Sequence, residues 1–155
     1  MRAVAERCEA PPRILFACTL NAVRSPMAAA ILHQFAGPIL DVRSAGVRRG
    51  HCDPYAMAVM DEIGVDITAH QPRTFAELDR LSFSTIITLS PEAQHHAVEL
   101  TRIMKAEVEY WPMFDPSLLP AEAGRETLLK AYRKLRDNLV TRIKTRFAIS
   151  GGPSV

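Results

Sequence analysis

The chain has 155 residues, 48% of them apolar and 23% charged, and a formal net charge of +2. That is one domain of ordinary globular composition, long enough to bury a core. No basic block or recognition motif accompanies the small positive charge, which argues against nucleic acid as a partner. No apolar run reaches the roughly 20 residues a membrane helix needs, which argues against a membrane.

Residues 1–12, MRAVAERCEAPP, carry charges and lack the apolar stretch of a leader peptide; they read as a flexible tail ended by Pro11-Pro12. Arg13 to Ala17 is a short apolar run that fits a buried strand. A helix is expected from about Ser25, with Pro26 at an early position and Met27, Ile31 and Phe35 on one face, ending at Gly37-Pro38. Ile39 to Arg43 reads as a second strand, closed by Ser44-Ala45-Gly46. Asp53 then caps a helix with Met57, Met60 and Ile63 inward and Gly64 at its end.

A short helix is expected near Phe75 to Leu78, and Thr85 to Leu89 is a β-branched strand. Ser90-Pro91 starts the next helix, Ala106 to Trp111 forms a weaker strand, and a loop follows from Pro112 to Pro120. The last helix runs from about Ala121 to Phe147 on the spacing of Leu128, Tyr132, Leu135, Leu139 and Ile143; Arg133, Lys134, Arg136, Arg142 and Lys144 read as its solvated face. Residues 13–148 thus form one domain, and 149–155 a second flexible tail. Strands alternating with helices predict an α/β fold, a parallel sheet with helices on both faces, which binds ligands beyond the carboxyl ends of its strands.

Cys18 stands at one such end and opens the segment Cys18-Thr19-Leu20-Asn21-Ala22-Val23-Arg24-Ser25. A loop turning from strand into helix directs backbone N–H groups inward, and these with the helix dipole attract an anion and favour thiolate over thiol. The backbone of Thr19, Leu20, Asn21, Ala22, Val23 and Arg24 is therefore the expected phosphate cradle. Arg24 has the planar fork that grips two phosphate oxygens. Ser25 can donate its hydroxyl to the sulfur, and Asn21 tolerates the left-handed backbone a tight cradle needs. The plainer alternative is a buried strand-end cysteine beside a surface arginine.

The stretch from Ile14 to Ala28 resembles the signature of the low-molecular-weight protein tyrosine phosphatase family. Ser44-Ala45-Gly46, Gly64-Val65-Asp66 and His70-Gln71-Pro72-Arg73 fall where that family has similar pieces. The resemblance spans roughly residues 13 to 147. It implies a four-stranded parallel sheet of the three-layer, flavodoxin-like kind, no metal or other cofactor, and hydrolysis through a phosphocysteine. It also implies that Asn21, Ser25, Ser44 and His70 form the hydrogen-bond network holding the loop.

The leaving oxygen needs a proton, and two Asp-Pro pairs compete to supply it. Asp53-Pro54 is explained by a helix cap, whereas Asp115-Pro116 follows the fourth strand, where the family carries its acid. Asp115 is the expected acid. The expected substrate is a phosphorylated protein or a small aryl phosphate, with inorganic phosphate or sulfate able to occupy the loop, in a cytoplasmic monomer or weak dimer. The chain departs from the family at Leu20, commonly Gly, and at Val23, where eukaryotic members often have a second cysteine. Ser117-Leu118 follow Asp115 in place of tyrosines, and Arg48 and Arg49 offer cations where an aromatic often sits.

Two other readings compete. Relatives reduce arsenate on the same loop, and thioredoxin-coupled ones need resolving cysteines after the third strand. Thr88-Leu89-Ser90 has none, Cys8 is in the tail and Cys52 in another loop, so such an enzyme would use an external small thiol. A non-catalytic phosphate-binding module needs neither nucleophile nor acid. The five histidines show no metal-ligand spacing, and Met57 and Met60 read as core.

Overall fold

The computed structural model describes residues 10–149. The expected tails therefore lie largely outside the described residues, as does Cys8. Four parallel strands, β1 (Arg13–Cys18), β2 (Asp41–Gly46), β3 (Thr85–Thr88) and β4 (Glu107–Tyr110), form one sheet in the order β2-β1-β3-β4. The helices are α1 (Arg24–Ala36), α2 (Pro54–Asp61), α3 (Pro91–Leu100) and α4 (Arg125–Arg146). The chain leaves β1 for β2 on one side and later returns to β3 on the other. That reversal is the position where an open α/β sheet leaves a crevice, and Cys18 ends the strand at its centre.

Alternation along β1 builds both faces of the sheet. Ile14, Phe16 and Cys18 join the larger apolar cluster with Met27, Ile31, Val59, Met60, Leu139 and Ile143. Leu15 and Ala17 join Phe75, Leu78, Ile86, Ala93 and Ala97 on the other face. Helices α1, α2 and α4 thus cover one face, and α3 with the Phe75–Leu78 turn of 3-10 helix covers the other.

Several expectations shift. The second strand begins at Asp41 and runs through Gly46, not from Ile39 to Arg43, and Ile39 is 70% exposed. Pairing with β1, Arg13 opposite Asp41 through Cys18 opposite Gly46, sets that register. In α2 the buried positions are Ala56, Val59 and Met60, with Met57 and Ile63 only partly covered. Helix α4 starts at Arg125 because Gly124, at φ 91°, separates it from a short 3-10 turn at Ala121–Ala123.

The basic face of α4 is also not uniformly solvated. Arg142 lies over the Trp111 ring at 5.0 Å, and Arg136 is only 7% exposed. Arg136 Nη1 donates to the Val59 carbonyl at 2.8 Å and to Glu62 at 2.7 Å. It thereby ties α4 to the last turn of α2, whose carbonyls have no helical partner. Arg136→Met, which keeps the stem but strands that carbonyl, is expected to cost about 1–3 kcal/mol in a urea unfolding measurement.

Candidate active site

The loop between β1 and α1 is stitched to the chain after β2. The carbonyls of Cys18, Thr19 and Leu20 accept from the N–H groups of Val47, Arg48 and Gly50 at 3.1, 2.9 and 2.8 Å. With its carbonyls turned outward, the loop's N–H groups from Thr19 to Arg24 have no acceptor among the described residues. That arrangement is an anion nest. Asn21 makes the turn possible with φ 53°, in the left-handed region that asparagine tolerates.

Asn21 is fully buried, and every polar group of its side chain is engaged. Its Nδ2 donates to Ser25 Oγ at 2.8 Å, and its Oδ1 accepts from the Arg73 N–H at 2.8 Å. Its carbonyl accepts from His70 Nε2 at 2.9 Å, which assigns the imidazole proton to Nε2. Ser25 Oγ lies 2.9 Å from Cys18 Sγ. When the sulfur is a thiolate, only the Ser25 hydroxyl can donate in that contact.

Asn21, Ser25 and His70 are therefore linked in one hydrogen-bond chain that ends at Cys18. Ser44 does not join them: it sits in β2 opposite Phe16, and the neighbouring Ala45 carbonyl receives the weaker Ser25 contact at 3.4 Å. Among the described residues the Ser44 side chain makes no hydrogen bond.

Burial, the largest influence, holds the His70 imidazole below its ordinary value of 6.5; the Asn21 carbonyl opposes this and the Arg73 charge adds to it. Folding therefore favours neutral His70. The unfolded chain takes up its proton first as pH falls, so this contribution is complete above 6.5 and is lost between 6.5 and the lower folded value. The unfolding midpoint is expected to drop between about pH 7.5 and about pH 5.5 in the wild type, and to drop less in His70→Gln, which retains an N–H donor without the titration.

Arg24 is 7% exposed and placed by four acceptors. Nη1 donates to the carbonyls of Leu89 and Met113 at 3.4 and 3.1 Å. Nη2 reaches Thr19 Oγ1 at 3.4 Å and Asp115 Oδ2 at 3.5 Å. The Thr19 hydroxyl donates to Ser90 Oγ at 3.0 Å, which in turn caps α3 by accepting from the Ala93 N–H. The sequence marks Ser90 as a helix cap; its position after β3, beside the end of β1, is the signal that it also faces the loop.

Asp115 faces Arg24 with one oxygen and is held through the other. Oδ1 accepts from the Ser117 N–H at 2.9 Å and the Ser117 hydroxyl at 2.6 Å. Asp53 is fully occupied elsewhere: Oδ1 accepts from the N–H groups of Tyr55 and Ala56, and Oδ2 from the Tyr132 hydroxyl at 2.6 Å. Burial, with Asp53 next in effect, keeps the Tyr132 phenol well above its ordinary range. Among the described residues no cluster of three or more His, Cys, Asp or Glu is arranged to hold a metal ion.

The family model described as low molecular weight phosphotyrosine protein phosphatase matches residues 13–144. The chain belongs to that family. Among curated relatives, the arsenate reductase of Halalkalibacterium halodurans is 32% identical over 140 residues, covering 89% of this chain and 96% of the relative. The solved YwlE arginine phosphatase from Geobacillus stearothermophilus aligns with a TM-score of 0.70 at 29% identity, over 89% of this chain and 91% of its own. The low molecular weight protein tyrosine phosphatase from T. tengcongensis shares the fold at a TM-score of 0.72 and 23% identity, over 88% of this chain and 98% of that one.

Against the family pattern, this phosphatase-family chain accommodates its departures by compensation. A Cβ on Gly50 would stand 2.9 Å from Leu20 Cβ, so the bulk at Leu20 is matched by a bare backbone opposite. The cations at the rim are balanced: Arg48 pairs with Glu92 at 2.8 Å, and Arg49 pairs with Glu77. An aromatic does stand beside Asp115, on its other side, as the 62% exposed Phe114.

Proposed function

We propose that this protein is a phosphatase that hydrolyses phosphate monoesters, protein phosphotyrosine being the substrate class, through a phosphocysteine on Cys18. The observation that carries the reading is that Cys18, in contact with Ser25, opens a loop whose N–H groups have no acceptor among the described residues, and that Asp115, held by Ser117, reaches the same loop's Arg24. In the first step the Cys18 thiolate attacks phosphorus, the bond to the leaving oxygen breaks, and Asp115 gives that oxygen its proton. In the second, ionised Asp115 takes a proton from water, whose oxygen attacks phosphorus and expels the Cys18 thiolate. Arg24 and the loop N–H groups hold the remaining oxygens throughout. Inorganic phosphate, the product, is expected to occupy the same loop. A thiolate nucleophile suits a reducing compartment, and we assign the enzyme to the cytoplasm.

Arsenate reduction is the second reading, favoured by the names of relatives such as the H. halodurans protein. Reducing arsenate to arsenite takes two electrons, so a second thiol must be oxidised along with Cys18. Helix α3 and the turn before it contain no cysteine, and the exposed Cys52 thiol donates to the His70 carbonyl at 3.1 Å. On this reading a small external thiol supplies the missing partner.

The test is hydrolysis of p-nitrophenyl phosphate by wild type and Cys18→Ser, with arsenate-dependent oxidation of added glutathione run beside it. Turnover that falls at least about 10³-fold in Cys18→Ser supports the phosphatase. Reduction of arsenate without phosphate hydrolysis replaces it with the reductase, and inactivity in both assays leaves a phosphate-binding module.

A further inference from the structure

Every terminal N–H of Arg24 already faces a protein acceptor. A guanidinium carries five N–H donors, two on each Nη and one on Nε. Both Nη1 donors face main-chain carbonyls, those of Leu89 and Met113, and both Nη2 donors face side chains, Thr19 Oγ1 and Asp115 Oδ2. Among the described residues only Nε has no acceptor. A guanidinium grips two oxygens of one phosphate with a pair of parallel N–H groups, and every such pair includes an Nη. An anion that enters the loop must therefore take at least one donor from a protein group.

Lengths and charges decide which donor is released. The contact with the Met113 carbonyl is the shortest, 3.1 Å, and a main-chain acceptor cannot swing aside. The Nη2 contacts are long, 3.4 Å to Thr19 and 3.5 Å to Asp115. Thr19 is a neutral hydroxyl, whereas Asp115 is a carboxylate that an anion at Nη2 repels. Both side chains of the pair are mostly buried, 9% exposed for Arg24 and 11% for Asp115, so salt screens that repulsion little. Two like charges in one such site do not both persist; one of them takes a proton.

We infer that Asp115 is the resting counter-ion of Arg24, which an incoming anion displaces from Nη2 as the carboxylate takes up one proton. The proton comes from solvent, and the O–H bond it makes on Asp115 is the only covalent change. Loading of the anion thereby arms the acid, because Asp115 must carry a proton before it can give one. That consequence rests on the phosphatase reading; the exchange at Arg24 does not.

Other titratable groups stand around this point and are held by their own partners. Glu92, at the start of α3, pairs with Arg48, and Tyr132 of α4 donates its hydroxyl to Asp53 at the start of α2. His70 is bonded to the far side of the loop at the Asn21 carbonyl. Cys18 opens the loop itself, so its proton also responds to an anion there.

The experiment measures sulfate binding by isothermal titration calorimetry at about pH 5.5, 6.5 and 7.5, in two buffers of different ionisation enthalpy at each pH. Sulfate stays doubly charged over that range, so its own protonation does not enter. Cys18→Ser, which removes the thiol, is compared with Cys18→Ser/Asp115→Asn, a nearly isosteric further change that leaves Glu92, Tyr132 and His70 in place. In Cys18→Ser, sulfate is expected to bring proton uptake and an affinity that falls about threefold to tenfold per pH unit. The double variant is expected to lose most of that slope and to bind sulfate about fivefold or more tightly at about pH 7.5, its competing charge being gone. Equal slopes in the two variants would overturn the proton linkage. A double variant that binds sulfate no more tightly than Cys18→Ser at the highest pH would overturn the displacement and make Asp115 a support of Arg24. Absence of saturable sulfate binding in both would overturn this inference together with the anion loop on which the phosphatase reading stands. Proton-linked binding that is lost with Asp115, in a wild type that hydrolyses no p-nitrophenyl phosphate, would keep the inference while the phosphatase reading fails.

Discussion

Asp115→Asn is expected to lower kcat on phenyl phosphate by about 10²–10⁴-fold, the range for loss of a positioned general acid. The replacement is nearly isosteric and can still accept from Ser117, whose N–H and hydroxyl fix the present carboxylate. It removes the proton that Oδ2, which lies 3.5 Å from Arg24 Nη2, would carry to the leaving oxygen. The loss should depend on the leaving group. Nitrophenolate departs without much help, whereas phenolate, the conjugate base of a group with a pKa of about 10, needs the proton. The deficit is therefore expected to be severalfold smaller on p-nitrophenyl phosphate than on phenyl phosphate. Equal deficits on both would show that Asp115 positions Arg24 instead of transferring a proton. Asp53→Ala provides the contrast: it removes the α2 cap and the acceptor of the Tyr132 hydroxyl, so it is expected to lower stability by about 1 kcal/mol without altering the leaving-group dependence.

Gly46→Ala is expected to damage the site more than any other single methyl group added to the sheet. A Cβ there would stand 2.7 Å from Asn21 N, 2.7 Å from the Arg48 carbonyl oxygen and 2.9 Å from the Leu20 carbonyl carbon. All three are backbone atoms and cannot rotate away, so the anion loop itself must move. Displacement of a preorganised site by about 1 Å commonly costs 10²-fold in rate. A fall of roughly that size in kcat/KM is expected, with weaker inhibition by inorganic phosphate and about 1–3 kcal/mol lost in denaturant unfolding from overpacking. Gly64→Ala separates this effect from ordinary glycine loss. Gly64 has φ 76° and nothing within 4 Å of an added Cβ, so its replacement strains the backbone and leaves the phosphate site intact. A Gly46→Ala enzyme with normal phosphate inhibition would mean that the loop tolerates the shift.

These two cases mark how far local and distant information reach. Cys18, Arg24 and Ser25 share one strand–loop–helix unit, and their placement follows from short-range rules: an apolar run, an anion-favouring turn, and a proline early in a helix. The left-handed backbone of Asn21 was legible for the same reason, since the preference belongs to the residue itself. The Asp115 reading rested on position after the fourth strand, and the competing Asp53 was already explained by the cap it makes.

The supports of the loop were less legible. Ser90, Arg73 and Ala45 contribute a hydroxyl, an N–H and a carbonyl from segments 20 to 71 residues away. A main-chain group carries no trace in residue identity, so the Ala45 carbonyl has no signal in the sequence; Ser44 is expected there from the family resemblance alone. The charge on α4 posed the same difficulty. Arg136 resembles its solvated neighbours until α2 is packed beside it and the Val59 carbonyl needs a donor.

By itself the sequence determined the α/β class, the order of strands and helices, and the strand–loop–helix unit around Cys18, because periodicity, caps and turn chemistry act over a few residues. Tertiary structure alone decided the β2 register, the pairing of the rim arginines and the close approach at Gly46. Each of these depends on backbone atoms or charges brought together from distant parts of the chain, and such meetings are set by packing, not by local preference.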